Sequence, residues 1–186
     1  MQGQRVKSGI ADVASSGSAD HLRVMTCSRA HVERSRAETV ALRQRRKAEA
    51  EALGVDAAFI DRLVETFYER IRADGRLGPI FAARIGDWPH HLARMKSFWR
   101  SILHHSGEFS GNPMARHLAI PGLGEADFAH WLKLFYATLR DLAKEDGAVP
   151  LVAQRARMIA DSLLTGIETQ RFGLAGARAG ENLPHP

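Results

Sequence analysis

The chemistry in this 186-residue sequence is concentrated in a few of its nine histidines and in two aromatic side chains that carry hydrogen-bond donors. His91 shares a helical face with Met95, Phe98 and Ile102, at spacings of four, seven and eleven residues. An imidazole inside an apolar stripe has to find either a hydrogen-bond partner or a ligand. Its neighbour His90 points about 100° away on a helix, so one of the two faces inward. His117 sits in the brief segment MARHLA, punctuated by Pro113 before it and Pro121-Gly122 after it. An imidazole on a short, loop-tethered helix can approach a planar cofactor from the side, although a structural histidine is equally compatible with that position. Tyr68 shares a side with Val64 and Ile71, and Trp131 lies among Phe128, Leu134 and Phe135. Both positions are compatible with ordinary core packing, yet the hydroxyl and the indole N–H each need a partner when buried. Three inward donors on three separate elements exceed what a plain core requires. The other histidines carry less information: His21, His31 and His185 fall in terminal segments, and His104 and His105 are expected at an exposed helix end, where a cation suits the helix dipole.

Rival chemistries fail on spacing. There is no HExxH metalloprotease motif and no pair of Glu-x-x-His motifs for a di-iron bundle. A Gly-rich phosphate loop and a Ser nucleophile elbow are also missing. Cys27 is the sole cysteine, which excludes an intrachain disulfide and a cysteine metal cluster, and a reducing, cytoplasmic setting is expected.

The elements that carry these residues all read as helices. Asp56 is placed to cap a helix whose apolar positions Ile60, Val64, Phe67 and Ile71 keep helical spacing until Asp74-Gly75. Gly78-Pro79 opens a short helical turn through Phe81, and Asp87 is an N-cap for a helix from Trp88 to about His105. The stretch SGEFSGNP is loop. Two long helices follow, from Glu125 to about Lys144 and from Pro150 to about Arg171. No segment alternates like a strand, so the predicted fold class is all-α.

Outside this region the patterning stops. Residues 1–35 mix Ser, Gly and charge with no apolar period and are expected to be a disordered N-terminal extension, with Met25 an alternative start. Residues 36–53 are rich in helix formers and should form a solvated helix closed by Gly54, at the front of a domain spanning 36–172. Residues 173–186 are expected to be a flexible C-terminal tail. The net charge of +5 resides in the first fifty residues, which hold ten basic and five acidic side chains. The remainder balances at sixteen of each sign, giving the folded part no electrostatic reason to seek nucleic acid. No apolar run has the length of a membrane span or a secretory leader, so no membrane partner is expected.

With these residues in place, the sequence resembles the group III truncated haemoglobins of bacteria. The resemblance runs from about Asp56 to Arg171 through FYERIRADGRLGPIF (67–81), HLARMKSFW (91–99), MARHL (114–118) and FAHWLKLF (128–135), in the family's order. It implies a truncated globin, a two-over-two helical sandwich around haem b (iron protoporphyrin IX). Position by position it implies His117 as the metal ligand, Tyr68, His91 and Trp131 as distal residues facing the gas, and Phe67, Phe81, Phe98 and Trp99 packed around the macrocycle. Arg94 matches a propionate partner. The sequence departs from the family in the segment before residue 36 and in the His90-His91 run.

The function implied is reversible binding of dioxygen, nitric oxide or carbon monoxide at a five-coordinate haem iron with a polar distal pocket. One alternative is a haem enzyme, a nitric oxide dioxygenase or peroxidase-like catalyst served by a reductase. A lesser alternative is a non-haem helical interaction module.

Overall fold

The computed structural model describes the backbone of residues 17–186 and the side chains from Glu33 onward. The first helix, α1, spans Gly17–Ala52. It begins well before the expected start at residue 36, so the part of the expected disordered extension between 17 and 35 is helical, while residues 1–16 lie outside the described residues. Every side chain from Glu33 to Glu49 is exposed, and the pairs Arg46–Glu49 and Lys47–Glu51 lie one helical turn apart. A helix can therefore form here without an apolar stripe. The chain divides into two units at Ala41. The core belongs to the second, Leu42–Pro186, and begins at Ala50 and Val55. Gly54, with φ +78°, makes the turn that leaves α1, a conformation in which an L side chain is strained.

Capping side chains set the remaining boundaries. Asp56 accepts from the Phe59 amide at 2.6 Å and starts α2, Ala57–Ala73. The carboxylate of Asp74 ends that helix and accepts from the amides of Arg76 and Leu77, which launches α3, Leu77–Ala82. Asp87 accepts from the His90 amide and starts α4, Trp88–Leu103, with Pro89 tolerated in the first turn. Asn112 does the same for Ala115 at the head of α5, Pro113–Leu118. The helices α6, Glu125–Leu142, and α7, Ala148–Phe172, complete the set, followed by a 3-10 turn at Gly173–Gly176. There is no strand among the described residues.

The pair α2 and α4 packs over the pair α6 and α7, with α2 against α6. This is the two-over-two sandwich of a truncated globin. Its centre is Phe67, Ile60, Leu63, Leu132, Phe135, Leu139, Leu164 and Ile167, each at most 1% exposed. Burying a side chain of this size stabilises the fold by roughly 1.5–3 kcal/mol. The short helix α5 packs on α7 rather than on α4.

Two expectations are corrected. His104 is not at an exposed helix end: it is 4% exposed, and its Nε2 lies 2.7 Å from the Val55 carbonyl, joining the end of α4 to the α1–α2 turn. Nor do residues 173–186 run as a flexible tail. Leu183 is 1% exposed in the core, Arg157 donates to the carbonyls of Glu181 and Leu183, and the Tyr136 hydroxyl donates to the Pro184 carbonyl. One buried leucine and a few long-range bonds outweigh the local Gly, Ala and Pro content.

Candidate functional site

The most concentrated cluster lies where α2, α3 and the start of α4 meet. Tyr68, on the buried face of α2, is edge-on to Phe81 of α3 at 5.9 Å, to Trp88 at 6.4 Å and to His91 at 5.0 Å. Trp88 and His91 are also edge-on to each other, at 5.9 Å, as their three-residue spacing on α4 dictates. His90 is exposed, so of the adjacent pair it is His91 that faces inward. The His91 Nε2 is buried and has no hydrogen-bond partner. Such a nitrogen costs free energy unless a ligand or water meets it.

Electrostatics keep both groups neutral. Burial pushes the Tyr68 hydroxyl well above its ordinary value, so it remains a donor. Burial, aided by the positive charges of Arg94 and His90, holds the His91 imidazole below its ordinary value of 6.5.

A second aromatic group backs this cluster. Phe67 is edge-on to Tyr68, Trp131 and Phe135 at 5.0–5.3 Å. Phe135 stacks with both Trp131 and Trp99. Phe67, Trp131 and Phe135 thus form a triangle of rings with centroids 5.0–5.2 Å apart, and Phe67 joins it to Tyr68. Trp99, 3% exposed, is a core residue in this stack. Phe98, on the neighbouring face of α4, is edge-on to Phe109 of the following loop. The Arg94 guanidinium lies 5.5 Å over the same Phe109 ring, beside an open groove of about 260 Å³ lined also by His90, Ser97 and Glu108.

His117 is on a different element. Its Nδ1 is 2.7 Å from the Pro113 carbonyl, one turn back along α5. A carbonyl oxygen only accepts, so Nδ1 carries the proton and Nε2 keeps its lone pair. Phe128 of α6 stacks beside the ring, centroids 6.3 Å apart. An imidazole tied at Nδ1 to a carbonyl, with its other nitrogen free to ligate, is the arrangement that orients metal-binding histidines.

Over 105 residues the chain is 39% identical to a group 3 truncated haemoglobin of Campylobacter jejuni, covering 54% of this chain and 82% of that protein. The chain belongs to the group 3 truncated haemoglobins. The crystal structure of a group III truncated haemoglobin from Campylobacter jejuni matches with a TM-score of 0.57 and 34% identity, covering 60% of this chain and 91% of that one. No family model matches the sequence.

Membership of the truncated haemoglobins implies a haem cofactor, and the residues present fit one. The imidazole of His117 is oriented for ligation on one element. The unpartnered His91 Nε2 of α4 and the neutral Tyr68 hydroxyl of α2 form a polar pair where those two helices meet. The helices carrying them pack on different partners, α4 on α2 and α5 on α7.

The structure places beside these candidate residues others that sequence reasoning did not single out. Trp88 has a sequence signal, since it stands three residues before His91 on the same helix face. Phe128 was recognised as part of an apolar stripe, but its approach to His117 joins two elements and has no local signature. Met114, packed against Gly166 of α7, is of the same kind: a Cβ at Gly166 would meet the Met114 sulfur at 2.7 Å.

Proposed function

We propose that this chain binds dioxygen and other diatomic gases reversibly, using haem b held by His117, with Tyr68, His91 and Trp131 on the side of the gas. The observation that carries this reading is the bond from His117 Nδ1 to the Pro113 carbonyl, which fixes the tautomer that leaves Nε2 as a ligand. Haem, when bound, would supply an iron that His117 would hold and that would take up a diatomic gas.

Each side chain then has a physical task. Phe67 and Phe81 offer apolar surface beside Tyr68, while Phe98 and Trp99 do so from α4, where Trp99 also acts through the stack on Phe135. Arg94, exposed at the mouth of its groove, is the cation available to a propionate. The Tyr68 hydroxyl stays protonated and donates. The His91 Nε2 gains from a polar ligand the hydrogen bond that it lacks. Donors shielded from water hold a polar gas more strongly than an apolar one, which favours slow release of dioxygen.

The test is spectroscopic. The purified, reduced chain should show a Soret band that shifts when dioxygen is admitted and returns when it is removed. A chain without a Soret band after reconstitution with hemin, or with one unaltered by dioxygen, would overturn the proposal.

A further inference from the structure

The pair Tyr68 and His91 has an outer face, and Trp88 forms it. Trp88 is the first residue of α4, directly after the capping Asp87, whose carboxylate accepts from the His90 amide and whose carbonyl accepts from the His91 amide. The indole is therefore anchored to the same turn that presents His91. It meets His91 edge-on at 84° and Tyr68 at 61°. The guanidinium of Arg72 lies 5.0 Å over the same ring. Arg72 is on α2, one turn after Tyr68, so that helix supplies both the inner donor and the outer cation. From solvent inward the order is exposed Arg72, half-buried Trp88, then buried Tyr68.

We propose that Trp88, held under Arg72, is the positioning residue that keeps the His91 imidazole turned toward Tyr68 and closes the pair off from water. This role rests on reading Tyr68 and His91 as the residues that face the gas. A buried imidazole nitrogen with no partner gains a hydrogen bond if it reaches water, either by rotating outward or by letting water in. The indole blocks both routes. The positive groups that act on His91 are Arg94 and His90 on its own helix, while Arg72 on α2 lies over the Trp88 ring. No carboxylate is among the groups that set its protonation. A smaller side chain at position 88 would thus expose the imidazole to solvent without giving it a new ionic partner. Arg72 reinforces the wall through a cation–π contact at an exposed site, a contact that shifts an equilibrium by about two- to fivefold.

The experiment follows the His91 imidazole by NMR as a function of pH in the full-length protein as purified, its resonance assigned by its loss in His91→Gln. The wild-type ring is expected to titrate below 6.5. Trp88→Ala should move the titration up toward that value, and Trp88→Phe should keep it low. Arg72→Ala, an exposed change that leaves the fold intact, should move it in the same direction by about two- to fivefold in protonation constant. Carbon monoxide association after flash photolysis should be faster in Trp88→Ala and near wild type in Trp88→Phe. An unaltered His91 titration in both Trp88→Ala and Arg72→Ala overturns the role. If Trp88→Ala does not fold, Arg72→Ala decides alone. The His91 titration can be read whether or not the chain takes up gas, so a failure of the gas-binding reading is seen separately, in the Soret spectrum.

Discussion

The rings of Tyr68 and His91 stand edge to face, 5.0 Å apart and 82° from parallel, although they come from different helices. One offers a hydroxyl that burial keeps protonated, the other a nitrogen with no partner. The contact leaves both polar ends available to a third group. In an ordinary core these two would be expected to satisfy each other.

Tyr68→Phe removes the hydroxyl while keeping the ring contacts with Phe67, Phe81, Trp88 and His91. Oxygen dissociation measured by stopped flow should accelerate by about tenfold, corresponding to a lost bond of about 1.4 kcal/mol. Carbon monoxide, less polar when held, should respond less. Trp131→Phe should accelerate oxygen loss by a smaller factor, because its ring packs on Phe67 and Phe135, whereas Tyr68 is the ring that meets His91. Equal small effects on both gases would show that these donors do not meet the ligand.

His117→Ala should abolish the normal Soret spectrum and leave the far-UV circular dichroism largely intact, since α5 contributes six residues to the helical content. An unchanged Soret band would remove His117 as the ligand. Asn112→Ala, which deletes the cap of α5, should weaken haem retention without altering the ligation state, at a cost of about 1 kcal/mol to that helix.

Leu183→Ala tests whether the C-terminal segment belongs to the fold. A fully buried leucine contributes about 2–5 kcal/mol by this substitution, so the urea midpoint should fall clearly. An unchanged midpoint would restore the picture of a loose tail.

Acidification should act in two steps. His91 titrates lower in the fold than in the unfolded chain, so its contribution is intact above pH 6.5 and is lost as pH falls through its folded value. Asp74 is held below 3.8 chiefly by the Leu77 amide and by His130, whose Nε2 is 2.8 Å from the carboxylate. Its contribution is present above about pH 4 and lost as pH falls through its lowered value. Urea titrations should show His91→Gln flattening the upper step and Asp74→Asn the lower one. Curves parallel to wild type in both variants would show that other groups govern the acid limb.

The sequence made the helix caps and the inward-facing side chains more legible than the ends of the chain. Asp56, Asp74 and Asp87 are local signals, and the helices begin and end where they place them. The apolar stripe Met95, Phe98 and Ile102 was enough to choose His91 over His90 as the inward imidazole. Where the decisive contact is long-range, the sequence was silent. Nothing near Leu183 announces a core residue, because the bonds that hold its segment come from Arg157 and Tyr136. The burial of His104 depends on the Val55 carbonyl, forty-nine positions away. The early start of α1 escaped for another reason: residues 36–53 announce a helix by their helix formers, whereas residues 17–35 mix Ser, Gly and charge and read as disordered.

The short helix α5 has a thermodynamic consequence of its own. Six residues cannot sustain a helix in water, because nucleation costs more than one turn of hydrogen bonds returns. Its shape is borrowed from the Asn112 cap, from Pro113 and from the seat of Met114 against Gly166. The segment bearing His117 therefore has little independent persistence. Its amides should exchange with solvent ahead of those in α2 and α6, through an opening that leaves the four main helices closed. With His117 as the proposed ligand, retention of the cofactor should follow the lifetime of one small turn, and a change that steadies α5 alone should lengthen that retention without raising the melting temperature of the whole.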